Sequence, residues 1–215
     1  MDMSLKHFYD KVHQRIGTFP EDLLGLIAIN ILDGLYYLKA YQNIIHRDIK
    51  PQNILLNRTG EIKICDFGQS NLLKNSLVNT TIGTYAYRSP ERIKNEGNSY
   101  DVRADIWALG LTLVEVAYGK YPLVKTLTKA NQNLLEQKII ETKADKIIAN
   151  CLGSCSDMLK EFVGLCLEKV ENRPKYDGLK STRLYETFSQ RNTLGEIQAE
   201  IHQIGADIFP HEPIS

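Results

Sequence analysis

The stretch from Ile44 to Gly68, IIHRDIKPQNILLNRTGEIKICDFG, decides how this chain is read. It holds two short polar motifs, His46-Arg47-Asp48-Ile49-Lys50-Pro51-Gln52-Asn53 and Asp66-Phe67-Gly68. Between them come Ile54-Leu55-Leu56, a turn at Asn57-Arg58-Thr59-Gly60 and the alternating Glu61-Ile62-Lys63-Ile64-Cys65, a pattern that predicts a β-hairpin. A hairpin returns its two ends to one place. Asp48 and Asn53 are therefore expected to face Asp66, so that three oxygen-bearing side chains converge.

Outward from this stretch the periodicity is helical. On the N-terminal side, residues 4–16 predict a short helix with Leu5, Phe8, Tyr9 and Val12 on one side. Leu24, Ile27, Ala28, Ile31, Leu35 and Leu38 then predict a long amphipathic helix from Pro20 to Tyr41, opened by proline at the first helical position with Glu21 and Asp22 in the first turn. On the C-terminal side, the polar run Gln69–Thr81 reads as a loop and Ile82–Glu91 as a short ordered segment. Asp105–Tyr118 is apolar on nearly every side and reads as a buried helix with Asp105 placed to cap its start. Further helices are expected near Leu134–Thr142, Ala144–Ala149 and Met158–Glu168, and Leu194, Ile197, Ile201 and Ile204 suggest a terminal helix used for packing.

The 215 residues are 43% hydrophobic and 24% charged, enough for a core and for one or two domains. Lys plus Arg and Asp plus Glu balance at 26 each, so no global field argues for nucleic acid or an anionic membrane. No basic segment followed by an apolar core opens the chain, and its apolar runs are shorter than the ~18 residues of a membrane helix, so a cytoplasmic protein is expected. Cys65, Cys151, Cys155 and Cys166 show no metal-ligand spacing and are expected as reduced thiols, with Cys65 the one to consider for reactivity.

The two motifs, in this order and at hairpin spacing, with Ser89-Pro90-Glu91 after them, resemble the H-R-D-x-K-x-x-N catalytic loop and D-F-G metal-binding loop of eukaryotic protein kinases. The resemblance implies a mainly α fold with a small β-hairpin region, the large C-terminal lobe of a kinase over residues 1–185, and a helical extension over 186–215. The small N-terminal lobe, with its glycine-rich loop and strand lysine, is absent from the sequence in this reading. ATP and Mg²⁺ are the implied cofactors. Asp48 would orient the acceptor hydroxyl, Lys50 contact the transferred phosphate, Asn53 and Asp66 hold Mg²⁺, and Leu55 form the floor under adenine. His46 and Phe67 are expected to be internal packing residues. Asp105 belongs to a D-x-W-x-x-G helix whose aspartate holds the catalytic-loop backbone, and Arg173 is expected to pair with Glu91, with roughly 3–5 kcal/mol lost if one partner is removed. Thr84 resembles the threonine that bonds the catalytic aspartate and lysine.

Within the family, Ser76 and Thr80 in an S-x-x-x-T pattern, the opening Met1-Asp2-Met3-Ser4-Leu5 and Ile64-Cys65-Asp66-Phe67-Gly68 look like the mitogen-activated protein kinase kinases. Asn71 and Arg88 depart from the usual glycine and methionine of that group. The implied function is transfer of the ATP γ-phosphate to Ser/Thr, or to Thr and Tyr together, of a downstream mitogen-activated protein kinase. An upstream kinase would switch the enzyme on at Ser76 and Thr80, with Arg47 receiving the phosphate charge. The other implied function is a catalytically inactive kinase-lobe binding module that occupies a cascade partner.

Overall fold

Ser4 ends one element and starts the next. Met3–Ser4 forms a two-residue strand, β1, after which the extended Ser4 accepts the His7 N–H on its hydroxyl and opens helix α1, Leu5–Ile16. Its buried face is Leu5, Phe8, Tyr9 and Val12, as the spacing predicts, and Gly17 at φ 78° stops it. Helix α2 spans Glu21–Gln42, with Pro20 as its cap residue instead of its first helical residue. By length and composition α2 could cross a membrane, yet it serves as a core helix. Leu23, Leu24, Leu26, Ile27, Ala28 and Ile29 are all buried, so its first half is covered on every side and only the second half shows the amphipathic pattern.

The computed structural model describes residues 1–67, 82–94 and 101–209. Gly68, Ser76, Thr80 and the whole of Gln69–Thr81 lie outside the described residues, as does the side chain of Thr84.

The expected hairpin is present as β2, Ile54–Leu56, and β3, Ile62–Ile64, paired antiparallel with Ile54 opposite Ile64 and Leu56 opposite Ile62. Its turn is built by Asn57, whose Oδ1 accepts the N–H groups of Thr59 (3.2 Å) and Glu61 (2.9 Å), and by Gly60 at φ 87°. A side chain at Gly60 would meet the Leu194 carbonyl at 2.5 Å, so the turn requires glycine twice over. The sequence reading lacks β1, which adds a third antiparallel strand by pairing Met3 with Leu56 and Ser4 with Leu55.

After the sheet come the one-turn helices α3, Ile82–Tyr85, and α4, Pro90–Ile93, and then α5, Arg103–Tyr118. The remaining helices are α6 Gln132–Glu141, α7 Ala144–Cys151, α8 Asp157–Cys166, α9 Tyr176–Lys180, α10 Arg183–Ser189 and α11 Thr193–Ile204. Every residue of α5 from Asp105 to Val116 is buried, and α8 and α2 pack against it. Gly110 lets α8 approach, since a Cβ there would lie 2.7 Å from that of Cys166. Among the described residues the fold is therefore mainly helical with one small antiparallel sheet.

Terminal helix α11 packs against α2 and α1 and puts Ile197, Ile201 and Ile204 into the same apolar core, while Leu194 stays 49% exposed. Burial of three such side chains contributes roughly 1.5–3 kcal/mol each.

Candidate active site

A strained loop carries the first motif. Arg47 sits at φ 71°, a left-handed conformation that side chains with a Cβ adopt only when neighbours compel it. The compelling group is Asp105, whose Oδ2 accepts the His46 N–H at 2.8 Å and whose Oδ1 accepts the Arg47 N–H at 2.7 Å. Asp105 lies inside α5, and Val102 occupies the cap position, so its carboxylate serves the catalytic loop and not its own helix start. This corrects the expected capping role and agrees with the one the resemblance implied. Burial pushes the Asp105 carboxyl up, opposed by nearby His46 and by the two N–H donors.

His46 ties the two motifs together. Its Nδ1 receives the Asp48 N–H (3.3 Å), which leaves the ring proton on Nε2 to be donated to the Cys65 carbonyl at 3.0 Å. The Cys65 N–H in turn donates to the Asn53 carbonyl at 2.9 Å. Asp66 is thus placed next to Asn53 by backbone bonding across the base of the hairpin, and it too has a positive φ, 64°. His46 is fully buried, but Phe67, expected inside, is 42% exposed. The rings of the two stack edge to face at 5.2 Å.

The chemistry-bearing side chains meet on Asp48, which is 4% exposed. Its Oδ2 accepts from Lys50 Nζ at 2.7 Å and from Asn53 Nδ2 at 2.8 Å, while Asn53 Nδ2 also bonds the Asp48 carbonyl at 2.9 Å. Its Oδ1 has no hydrogen-bond partner among the described residues. One oxygen is therefore fixed and the other is left to meet a proton. With its nitrogen committed, Asn53 offers its amide oxygen, and exposed Asp66 offers carboxylate oxygens, to a hard cation. Among the described residues no three His, Cys, Asp or Glu cluster. A Mg²⁺ ion at Asn53 and Asp66 would therefore draw its other ligands from phosphate and water, which suits an ion that keeps few protein ligands.

Leu55 is half-buried between Ile54 and Leu56, which are both 1% exposed and face the core, so it lies on the opposite face of β2. Cys65 has its thiol pushed up by burial and by Asp66, with Lys50 opposing, so it is not poised as a thiolate. Cys151 and Cys155 are likewise raised by burial and free.

Glu91 and Arg173 pair as expected. Arg173 Nη1 donates to Glu91 Oε1 at 2.8 Å and Nη2 to Oε2 at 3.3 Å, and the guanidinium also bonds the carbonyls of Glu168 and Arg103. Burial opposes ionisation of Glu91, but the Arg173 pair outweighs it and holds the carboxyl below the usual range. Arg47 and Arg88 line a small cavity of about 40 Å³ together with Asp48, Tyr87, Ser89 and Arg92.

The sequence reading did not mark Glu115. Its buried carboxylate accepts the hydroxyls of Tyr9 and Tyr87, residues 106 and 28 positions away. The available signal was a single glutamate in the otherwise apolar run LGLTLVEVAY.

The profile of the protein kinase domain family matches residues 1–182. The dual specificity mitogen-activated protein kinase kinase sek-1 of Caenorhabditis elegans is 41% identical over 206 residues, covering 92% of this chain and 60% of the relative. The dual specificity mitogen-activated protein kinase kinase dSOR1 of Drosophila melanogaster is 40% identical over 179 residues, covering 74% of this chain and 45% of the relative. The chain thus spans about half the length of the curated relatives it matches. With the match over residues 1–182 and these relatives, the chain belongs to the protein kinase domain family and within it is most like the mitogen-activated protein kinase kinases.

Proposed function

We propose that this chain carries the phosphoryl-transfer residues of a mitogen-activated protein kinase kinase. The substrate is a downstream mitogen-activated protein kinase, phosphorylated on Ser/Thr or on Thr and Tyr together. The observation that carries the reading is the state of Asp48, with one oxygen held by Lys50 and Asn53 and the other buried and unpartnered among the described residues.

Phosphoryl transfer asks the protein to position two reactants and to stabilise charge, with little covalent work. Asp48 Oδ1 holds the acceptor hydroxyl and takes its proton as transfer proceeds. Lys50, already 2.7 Å from Asp48, holds that carboxylate in place and presents its side-chain nitrogen to the transferring group. Asn53 and Asp66 would hold Mg²⁺, which would supply charge neutralisation on the nucleotide's phosphates. Leu55 gives the adenine an apolar surface. The edge-to-face contact of Phe67 with His46 and the Cys65–Asn53 backbone bond keep the two motifs in register.

Regulation follows the same reading. An upstream kinase phosphorylates Ser76 and Thr80, and Arg47, which lines the cavity beside Asp48, is the cation through which that charge acts. The protein works in the cytoplasm, in keeping with its four free thiols.

The test is incubation of the protein with MgATP and an unactivated mitogen-activated protein kinase, followed by mapping of phosphorylated residues. Transfer to Ser, Thr or Tyr that disappears in Asp48→Asn supports the reading. Undiminished transfer in that variant refutes the role of Asp48. Ser76→Ala with Thr80→Ala should lower the activity gained by prior treatment with an upstream kinase; an unchanged gain removes those two sites.

A further inference from the structure

Glu115 is 3% exposed, and a carboxylate so placed must have both oxygens occupied to be tolerated. Its Oε1 accepts the Tyr9 hydroxyl from α1 at 2.5 Å, and its Oε2 accepts the Tyr87 hydroxyl from the segment between α3 and α4. Three parts of the chain that are distant in sequence therefore meet at one buried carboxylate. A second contact fastens α1 to the same helix, because His13 Nε2 lies 2.8 Å from the Val116 carbonyl near the end of α5.

Residues 86–91 are pinned from three directions. Tyr121 donates to the Ala86 carbonyl at 2.6 Å, Tyr87 to Glu115, and Arg173 to Glu91. The Tyr87 and Tyr121 rings also meet edge to face at 5.8 Å. Tyr87, Arg88 and Ser89 form one wall of the cavity whose other wall includes Asp48. A peptide that brings a hydroxyl to Asp48 must run its flanking residues along that wall. The height and tilt of the wall are set by the Tyr87 anchor.

We propose that Tyr9, acting through Glu115 and Tyr87, is a positioning residue that holds residues 86–91 at the height needed for a protein substrate to reach Asp48. This rests on the kinase reading and extends it to the side of the site that meets the peptide. The Tyr9 hydroxyl bonds Glu115, not Asp48, and so acts on the wall that Tyr87 shapes; because α1 also packs against Pro51–Asn53 and β2, the ATP KM is the readout that separates this role from a general loosening of α1. Deleting its hydroxyl leaves Glu115 Oε1 buried without a partner, and the carboxylate must shift and take Tyr87 with it.

The experiment compares full-chain wild type, Tyr9→Phe and the control Ile201→Val, which trims a methylene in α11. Two readouts are taken: the KM values for protein substrate and for ATP, and backbone amide exchange across residues 86–91. Tyr9→Phe should raise the protein-substrate KM about fivefold, leave the ATP KM unchanged and accelerate exchange at residues 86–91, a size expected for one orphaned buried acceptor. Ile201→Val should do none of these. Unchanged protein-substrate KM together with unchanged exchange in Tyr9→Phe overturns the proposal, as does equal loosening in the control. Should Tyr9→Phe not fold, Glu115→Gln, which keeps the shape of the side chain, is judged by the same readouts and criteria. If wild type transfers no phosphate, the kinase reading fails, and the exchange comparison alone decides whether the bridge holds the segment.

Discussion

Two carboxylates on α5, ten residues apart, do opposite kinds of work with the same resources. Asp105 and Glu115 are both buried, both pushed up by desolvation, and each accepts two hydrogen bonds. The donors of Asp105 are the backbone N–H groups of His46 and Arg47, whereas those of Glu115 are the phenols of Tyr9 and Tyr87. A backbone N–H is lost only by substitution to proline, which also fixes φ, but a phenol can lose its hydroxyl and keep its ring. The comparison teaches that Asp105 is fixed by the loop geometry, while Glu115 is one solution among several for stability, distinguished by where it holds Tyr87.

That contrast can be broken first at Asp105. Asp105→Ala orphans two buried donors and frees Arg47 from its left-handed conformation, a loss of about 3–5 kcal/mol. Urea titration measures it, and a loss below about 1 kcal/mol would mean that the loop holds itself. The Glu91–Arg173 pair provides a benchmark of about the same size, since Glu91→Ala leaves a fully buried guanidinium short of its counter-charge and should cost about 3 kcal/mol. Glu115→Leu is the next step down, at about 2 kcal/mol, because two phenols lose their acceptor while a buried charge is removed.

The comparison is sharpened by a variant that has no counterpart at Asp105. Combining Glu115→Leu with Tyr9→Phe and Tyr87→Phe removes acceptor and donors together and should come within about 1 kcal/mol of wild type in the same titration. If the triple variant is as unstable as the sum of its parts, the bridge is structural and the distinction falls. The smallest effect is in pH. Glu91 is held below its ordinary pKa, so its contribution is present above the unfolded value and fades as pH falls through the lowered folded value. The stability gap between wild type and Glu91→Gln should therefore narrow on acidification below about pH 4.3, whereas a gap constant from pH 7 to 3 would contradict the pairing.

The same pair of residues shows what a sequence discloses. Asp48, Lys50, Asn53 and Asp66 were legible because short-range pattern, a hairpin of two three-residue strands, brings the motifs together. The buried face of α1 was legible for the same local reason. Asp105 was read as a cap from its position and as the holder of the catalytic-loop backbone from the resemblance; position misled, since an acidic residue near a helix start ordinarily serves the nearest N–H groups and here serves a loop 58 positions away. Glu115 left only the trace of a lone glutamate in an apolar run, a pattern that hints at burial but does not disclose the two distant phenols that make burial tolerable. Strand β1 escaped for a related reason: two residues carry no alternation, and only the pairing with Leu55 and Leu56 makes them a strand. The first half of α2 looked one-faced because apolar spacing cannot tell how many neighbours will cover it.

The most direct test of the account is Mg²⁺-dependent transfer of the ATP γ-phosphate to an unactivated mitogen-activated protein kinase, measured for wild type and Asp66→Asn at matched folded fractions. The account predicts transfer by wild type and its loss in the variant, because one of the two side chains that would hold the metal loses its charge. Retained turnover in Asp66→Asn would contradict the assignment of the site. No transfer by wild type, accompanied by tight binding to the substrate kinase, would contradict the catalytic reading and leave occupation of a cascade partner as the function.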